Sequence, residues 1–314
     1  MDETTRIERR LKLHDMRVLM SVVEAGSMSK AAKHLGTAQP ALSRSIAELE
    51  HALGVRLLDR SPRGVEPTAY GRALIKRGVA VFDELRQGVK DIEFLADPTA
   101  GELRIGTTES MADGPVLAVI DRLSRQYPRI SLHLLMGYME GLCDQLIERK
   151  IELVIIRLAK SIFDRQLVVE ELFDDPYVVA AGTQNPWTRR RRVQLAELVD
   201  EPWVLLPFDS PAGSIMAQAF HASGVEPPRA TVFTHSLNLR NRLLATGRFL
   251  SALPRFSLTS LSRPASIKAL PLELPGTQRP MGIITLKGRT PSPLAQRFLE
   301  ALRGVVKPLR DAGS

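Results

Sequence analysis

Cysteine is nearly absent from this chain of 314 residues, which contains only Cys143. One thiol can neither close an intrachain disulfide nor supply a cysteine-based zinc site, and the six histidines show no metal-ligand spacing. Cys143 lies in an apolar stretch, which favours a buried small side chain; a redox-sensing thiol is the alternative. The sequence therefore predicts neither a metal site nor a cofactor.

Long apolar runs and enzyme motifs are missing as well. No apolar run approaches the roughly 20 residues that span a bilayer. Residues 1–10 are polar and lack the apolar core of a secretory signal, so we expect a cytoplasmic protein without a membrane partner. The chain has no P-loop, no G-x-G-x-x-G, no G-x-S-x-G and no evident nucleophile–base pair, so we do not expect an enzyme.

The net charge of +8 is distributed unevenly. Residues 1–77 carry 14 basic and 9 acidic side chains, residues 78–100 carry 2 and 5, and the remainder carries 27 and 21. Positive charge is therefore densest in the first quarter, where it would suit a nucleic-acid backbone. Ordinary solvated surface charge is the alternative.

The first fifty residues carry the pattern of three short amphipathic helices. Apolar residues at helical spacing mark a first helix between Met16 and Val23, which Gly26 ends. A second helix runs from Met28 to Leu35, and a third from about Pro40 to Leu53. The connection between the second and third helices is only about four residues long and contains a glycine, which is the spacing of a helix-turn-helix.

The third helix presents small and hydrogen-bonding residues opposite its apolar stripe. Glutamine can read adenine, and arginine can read guanine or contact a phosphate, while small side chains allow a close approach to the major groove. The candidate DNA-binding residues on this face and at its N-terminal tip are Thr37, Gln39, Pro40, Ser43 and Arg44. An ordinary three-helix bundle with a polar surface is the alternative.

A basic-tipped hairpin follows the third helix. Residues 55–60 are predicted to form a strand, residues 61–64 a turn, and residues 65–68 a returning strand. A hairpin directly after a recognition helix is typical of a wing. Arg60 and Arg63 are then expected to lie against the sugar-phosphate backbone or the minor groove.

Together these segments resemble the DNA-binding domain of LysR-type transcriptional regulators. The matching segments are Glu24–Leu35, Ala38–Ile46, Leu49–Glu50, Leu53–Gly54, Leu57–Arg60, Arg63–Val65 and Pro67–Gly71. The resemblance implies that Gln39, Pro40, Ser43 and Arg44 face bases and backbone, and that Arg60 and Arg63 lie on the wing. The chain departs from the family at Leu58, where many members carry Phe, and in a longer charged lead-in before Leu13.

A long helix is predicted from Ala69 to about Ala96, a stretch without proline. Its apolar seam repeats every three and four residues, at Leu74, Gly78, Val81, Leu85, Gly88, Ile92 and Leu95. Packing within the chain is the alternative, but self-association is favoured because the N-terminal domain offers little to cover such a stripe. The resemblance implies dimers through this helix, and tetramers built from them.

After a hinge at residues 97–101, strands and helices alternate, which predicts an α/β effector-binding domain of two lobes. The order is similar to the periplasmic-binding-protein-like domain of the same family. We predict a winged helix-turn-helix over residues 1–68, a linker helix over 69–96 and an effector-binding domain over 102–314. Lobe I comprises about 102–175 and 279–314, and lobe II about 176–278.

In such a domain the ligand is expected in the crevice at the carboxyl ends of strands. Hydroxyls, helix N-termini and an arginine there favour a carboxylate or phosphate, whereas Glu109 and Asp209 favour less anionic ligands if they point inward. Each Ser or Thr taken alone is more often a helix cap. The candidate effector-binding residues are Thr107, Thr108, Ser110, Tyr138, Met139, Arg157, Phe208, Ser210, His235 and Ser236.

The expected function is a regulator that binds promoter DNA at two-fold related half-sites and responds to a small effector, such as an organic or sugar acid. RNA polymerase is an expected partner by the same resemblance. A solute-binding transport protein would need a signal peptide and no helix-turn-helix, and an architectural DNA protein would leave the sensor unexplained. The run Arg189–Arg192 is interpreted as a solvated loop and not as a nucleic-acid patch.

Overall fold

The computed structural model describes residues 10–61, 64–158, 164–258 and 266–313. The chain divides into two units, residues 1–89 and 90–314. Each unit has apolar clusters of its own. The first unit is built from helices and a hairpin, and the second from mixed sheets with helices on their faces.

The core of the first unit is formed by helices α1 (Leu13–Ala25), α2 (Met28–His34) and α3 (Gln39–Leu53). The predicted stop at Gly26 is confirmed, and α3 ends in the same way: Gly26 and Gly54 adopt the left-handed conformation (φ 64° and 70°) directly after α1 and α3. The Ser27 hydroxyl accepts the N–H of Lys30 and thereby caps α2. Leu42 and Leu49 of α3 are buried, as the apolar stripe predicted.

The hairpin joins β1 (Leu58–Ser61) to β2 (Gly64–Pro67), with Arg60 opposite Val65. Strand β1 begins three residues later than the sequence indicated. A side chain holds the preceding segment: Oε1 of Glu50 accepts the backbone N–H groups of Leu57 (2.7 Å) and Leu58 (3.2 Å). The carboxylate thus supplies the hydrogen bonds that strand pairing would otherwise provide, and it fixes the hairpin to α3.

One continuous helix, α4 (Ala69–Ala96), has the predicted length. Its first turn lies so close to the segment before the hairpin that a Cβ at Gly71 would come within 2.1 Å of the Leu57 carbonyl oxygen. Gly78 lies against the side chains of Met16 and Met20 in α1. The early part of α4 is therefore covered by the first unit itself.

Ten strands belong to the described part of the second unit: β3 (Ala100–Thr107), β4 (Arg129–Met136), β5 (Leu153–Arg157), β6 (Leu167–Asp175), β7 (Tyr177–Gly182), β8 (Val204–Leu205), β9 (Val232–Phe233), β10 (Leu250–Pro254), β11 (Ile267–Ala269) and β12 (Arg279–Leu286). Its longer helices are α5 (Leu117–Gln126), α6 (Met139–Ile147), α7 (Pro211–Ala222), α8 (Leu237–Ala245) and α9 (Pro293–Gly313).

One lobe is a five-stranded sheet in the order β4-β3-β5-β12-β6. Strand β3 is parallel to β4 and β5, whereas β12 is antiparallel to β5 and β6. Apolar residues of α5 and α9 cover one face, and those of α6 cover the other. Strand β5 is buried on both faces, since residues 153–156 are all buried.

The other lobe is built on the antiparallel sheet β10-β7-β11, with the short parallel pair β8-β9 joined to it through a bridge between Trp203 and Leu250. Helix α7 packs in the cluster around Trp203, and α8 packs in a separate cluster with Val178 and Leu253. Two layers of helix thus enclose a central sheet here as well.

Several predicted elements are shifted or incomplete. The helix after β3 becomes regular only at Leu117, because Pro115 restricts the residue before it and Gly114 takes non-helical angles (φ −117°, ψ −111°). Strands β6 and β11 were not predicted from the sequence; β6, at the edge of its sheet, carries its acidic residues in two adjacent pairs and lacks a strand-like alternation. The predicted hinge is shorter, because β3 already begins at Ala100.

Candidate DNA-binding and effector sites

The predicted reading face of α3 is exposed. Thr37, Gln39, Pro40 and Arg44 are exposed, and Ser43 is half-buried, while the opposite stripe of α3 faces the core. Pro40 stands in the first turn, where its missing N–H leaves no hydrogen bond unmade. The helix therefore offers a guanidinium, an amide and a hydroxyl outward from a rigid support.

The wing supplies a further cation. Arg60 is exposed on β1, next to the tip of the hairpin. Arg63 lies outside the described residues. The hairpin is held to the helices by the Val65 N–H, which donates to the carbonyl of Gly26 (3.0 Å), as well as by the Glu50 carboxylate. A Cβ at Gly64 would meet that same carbonyl at 2.7 Å, so this close approach depends on glycine.

The later part of α4 carries an exposed apolar stripe. Within the seam, Val81 is 38% exposed, Leu85 48%, Ile92 68% and Leu95 81%. The flank of the helix next to this seam is different, since Phe82 is buried and the Arg17 guanidinium lies over its ring at 4.2 Å. An apolar stripe of this length on a monomer is typical of a surface that binds another protein chain.

Several predicted effector residues lie where the two lobes approach each other. Tyr138, at the N-terminus of α6, contacts His235 of the other lobe edge to face, with ring centroids 5.4 Å apart. Both side chains are exposed, and Met139 beside Tyr138 is half-buried. The Tyr138 side chain is exposed as a whole, but partial desolvation raises the pKa of its hydroxyl; Arg240 opposes this effect and Glu109 adds to it. The charges of Glu109 and Arg240 therefore both act on the Tyr138 hydroxyl.

The hydroxyls predicted to contact the effector are in part used by the fold. Thr107 is fully buried and donates to the carbonyl of Ile155 (2.9 Å), and Ser210 donates to Pro207 and accepts the N–H of Gly213. Ser236 caps α8 by accepting the N–H of Leu239. Thr108 and Ser110 are both half-buried, and their hydroxyls contact each other at 3.3 Å, which leaves them the better placed of the set.

Phe208 packs against Phe233, with ring centroids 5.4 Å apart. Phe233 ends β9, two residues before His235, and is 49% exposed. Phe208 therefore lies beside the segment that carries His235. Among the described residues, no ring contact joins Phe208 to Tyr138.

Arg157 has a different environment from the one the sequence indicated. Its guanidinium lies 2.6 Å from the carboxylate of Asp175, also donates to the Asp175 carbonyl, and sits 4.5 Å from the ring of Tyr177. Asp175 also accepts the N–H of Phe256. Since Asp175 ends β6 and Tyr177 begins β7, the geometry favours a structural role for Arg157 at the crossing between the lobes over a direct effector contact.

Two charged residues at the lobe junction were not among the predicted effector contacts: Glu109 was named only as disfavouring an anionic ligand if it pointed inward, and Arg240 was not named. Oε2 of Glu109, in the segment after β3, lies 2.6 Å from the backbone nitrogen of Leu237, the first residue of α8. Arg240, one turn further along α8, is only 5% exposed. The spacing in the sequence could have indicated that Arg240 is buried, because it shares one face of α8 with Leu237 and Leu244.

An open groove of about 500 Å³ adjoins the contact between Glu109 and α8. Among the residues that line it are Glu109, Asp113, Leu237, Asn238, Asn241 and Arg242.

Within the described residues, no group of three or more His, Cys, Asp or Glu side chains could hold a metal ion. Over the same part of the chain, every helix is too short or too polar to cross a membrane.

Comparison with known families assigns both units. Residues 13–72 match the model of the bacterial regulatory helix-turn-helix proteins of the lysR family, and residues 96–307 match the LysR substrate binding domain. The chain belongs to the LysR family. It is a LysR-type transcriptional regulator with an effector-binding domain, as the sequence predicted.

Individual LysR relatives align over nearly the whole chain. The HTH-type transcriptional regulator GbpR of Azospirillum brasilense is 28% identical over 298 residues, which is 95% of this chain and 87% of GbpR. The dual regulator OxyR of Escherichia coli K12 is 28% identical over 301 residues, 93% of this chain and 95% of OxyR. These relatives are transcriptional regulators and not enzymes.

Solved LysR structures share the fold. A full-length OxyR variant from Pseudomonas aeruginosa superposes with a TM-score of 0.62 at 23% identity, covering 95% of each chain. Full-length BenM gives 0.53 at 25% identity, covering 95% of this chain and 98% of BenM. CbnR complexed with its target DNA gives 0.53 at 22% identity, covering 95% of this chain and all of CbnR. Regulators of the LysR type bind DNA and small-molecule effectors and form oligomers.

Proposed function

We propose that α3 reads promoter DNA through Gln39, Ser43 and Arg44, with Thr37 and Pro40 at its tip and Arg60 and Arg63 of the wing on the backbone. The observation that carries this proposal is the exposure of the α3 face opposite the buried Leu42 and Leu49 stripe. Its side chains match the hydrogen-bonding groups of base edges, and free N–H groups at the helix start suit a phosphate.

Pairing of two chains through the exposed seam of α4 would place two recognition helices on related half-sites. A two-fold protein favours a two-fold operator, with half-sites separated by one or more helical turns. We assign the winged helix-turn-helix to residues 1–68, the linker helix to 69–96, a short hinge to 97–99 and the effector-binding domain to 100–314, since β3 begins at Ala100. Binding at a bacterial promoter implies a cytoplasmic protein that also contacts RNA polymerase.

For the second unit we propose a small organic or sugar acid as effector, held where the lobes meet. Thr108, Ser110, Tyr138, Met139, His235 and Ser236 are the residues we assign to it. Binding changes the relative populations of two arrangements of the lobes, and it does so only if the effector binds one arrangement more tightly. The change is passed to the DNA through α4.

Electrophoretic retention of the DNA upstream of the gene tests the DNA half of this proposal. We expect Arg44→Ala to weaken retention by tenfold or more, because a bidentate contact to a base contributes about 1–3 kcal/mol. Arg191→Ala is the matched control, since it removes the same charge from an exposed loop of the other unit. Equal retention of both variants and the parent chain, or no retention by the parent chain, would reject the assignment.

A thermal-shift screen of organic and sugar acids tests the effector half. An acid that raises the unfolding temperature of the parent chain should lose most of this effect in Tyr138→Ala, because the aromatic wall of the cleft is removed. Trp187 is aromatic and half-buried in the same lobe as His235 but lies in a different segment, so Trp187→Ala serves as the comparison for general loss of stability.

A further inference from the structure

The contact between Glu109 and helix α8 bridges the two lobes. Oε2 of Glu109 accepts the N–H of Leu237 at 2.6 Å, and Oε1 lies 3.4 Å from the backbone nitrogen of Asn238. The first N–H groups of a helix have no partner within the helix and carry partial positive charge. A carboxylate from one lobe therefore satisfies the N-terminus of a nine-residue helix of the other lobe.

A second, independent observation comes from Arg240, on the same helix. Its guanidinium is 5% exposed and donates through Nη1 to the carbonyl of Ala252 (3.1 Å), while its Nε has no hydrogen-bond partner among the described residues. Nor does any described carboxylate form an ion pair with it. Burial lowers the pKa of Arg240, an effect that Tyr177, Glu109 and Tyr138 oppose. A buried cation that lacks a paired carboxylate favours an anion nearby.

We propose that Glu109 is an internal competitor for an anion-binding position made by the N-terminus of α8 and by Arg240. The carboxylate or phosphate group of the effector takes this position and displaces the Glu109 side chain. Because Glu109 belongs to the segment after β3 and α8 belongs to the other lobe, displacement removes a tie between the lobes. The proposal rests on the proposed effector cleft and names the group of the ligand that is recognised.

This competition has two consequences. The affinity of the parent chain for an anion is lower than that of the bare position, since the anion must first displace a carboxylate that is part of the chain. It also couples effector binding to lobe movement, because the bound effector and the tie formed by Glu109 exclude each other.

Glu109→Gln in the full-length chain, titrated with sodium sulfate at constant ionic strength and followed by isothermal titration calorimetry, tests the proposal. Glutamine retains the size of the side chain and loses its negative charge. We expect sulfate to bind roughly tenfold more tightly than to the parent chain. Arg240→Gln added to Glu109→Gln should cancel the gain.

Glu197→Gln is the matched control. Glu197 also accepts a backbone N–H at the start of a short helix, that of Gln194 (2.7 Å). This helix belongs to the same lobe as α8 but is a different segment of the chain. We expect Glu197→Gln to leave sulfate affinity unchanged. The Glu109→Gln titration decides the matter even if the Arg240→Gln variant does not fold.

Sulfate affinity that is equal in Glu109→Gln and the parent chain overturns the proposal, and so does an equal gain in Glu197→Gln. Binding of a cation such as spermidine that is lost in Glu109→Gln also overturns it, since Glu109 would then be a ligand and not a competitor. Retention of promoter DNA is measured on the same samples. If the parent chain does not retain promoter DNA, the result counts against the proposed regulator function. If it retains DNA but Glu109→Gln leaves the sulfate affinity unchanged, the result counts only against the role of Glu109.

Discussion

The ammonium group of Lys90 lies 2.5 Å from Oε1 of Glu152 and ties the end of helix α4 to the effector-binding sheet. The Glu152 side chain is only 4% exposed, while that of Lys90 is 31% exposed. Oε2 of Glu152 also accepts the N–H of Ser292 (3.3 Å), just before α9. One buried carboxylate thus joins the last part of α4 to the segment before β5 and to the start of α9.

Lys90→Met should lower the free energy of unfolding of the effector-binding domain by about 2 kcal/mol, because it leaves a buried carboxylate without its cation. Urea unfolding measures the change. Lys150→Met is the control: its partner Glu148 is 52% exposed, and such surface pairs contribute about 0–1 kcal/mol. Equal losses in the two variants would show that burial of Glu152 is not what gives the Lys90 pair its strength.

Leu85→Glu should shift the chain from oligomer towards monomer. Leu85 is 48% exposed in the middle of the α4 seam, and a charge placed in an apolar interface between two chains is unfavourable. Sedimentation equilibrium should show association weakened by at least tenfold. Leu85→Met keeps the apolar surface and should associate normally; dissociation of both variants, or of neither, would contradict the assignment of the seam.

Gly71→Ala should destabilise the first unit by about 1–3 kcal/mol, because overpacking forces neighbouring groups to move. The added Cβ would lie 2.1 Å from a backbone carbonyl oxygen, that of Leu57, which cannot rotate away. At Gly141 in α6, an added Cβ would meet no atom of a neighbouring element within 4 Å, so Gly141→Ala should be neutral or stabilising. Thermal unfolding followed by circular dichroism compares the two, and a tolerated Gly71→Ala would show that the hairpin is free to shift.

Alkylation of Cys143 should need a higher pH in the folded chain than in the chain unfolded by urea. Burial raises the pKa of the Cys143 thiol, with smaller effects of Asp144 and Asp164 in the same direction. A raised pKa means less thiolate at neutral pH, and the thiolate is the reactive form. The rate of iodoacetamide labelling against pH, followed by mass spectrometry, gives both midpoints. A lower midpoint in the folded chain would support the alternative of a redox-sensing thiol.

The first unit could be predicted well from the sequence because its signals are local. Glycines at the ends of α1 and α3, the Ser27 cap and the spacing of Leu42, Ile46 and Leu49 each act within one or two turns of helix. The exposed face of α3 follows directly from this periodicity. The start of β1 was missed because the Glu50 carboxylate reaches seven residues along the chain to hold Leu57, which no period reveals.

The junction of the two lobes was predictable as a region, whereas the partners of its polar side chains were not. Strand ends and helix starts indicate where a crevice forms, and Tyr138 and His235 indeed meet there. The partners of polar side chains depend on contacts across long distances in sequence, such as Arg157 with Asp175 or Glu109 with Leu237. A hydroxyl or guanidinium in a sequence therefore does not reveal whether the fold has already used it.

The amino-acid order by itself determined the helix-turn-helix, the length of α4 and the alternation of strands and helices, since periodicity, caps and breakers act through neighbouring residues. Tertiary structure decided which charges are balanced. Arg157 is paired with Asp175, whereas Arg240 is buried without an ion-pair partner among the described residues. The reason is physical: the free energy of a buried charge depends on every group within a few ångströms, and folding brings those groups together from distant parts of the chain.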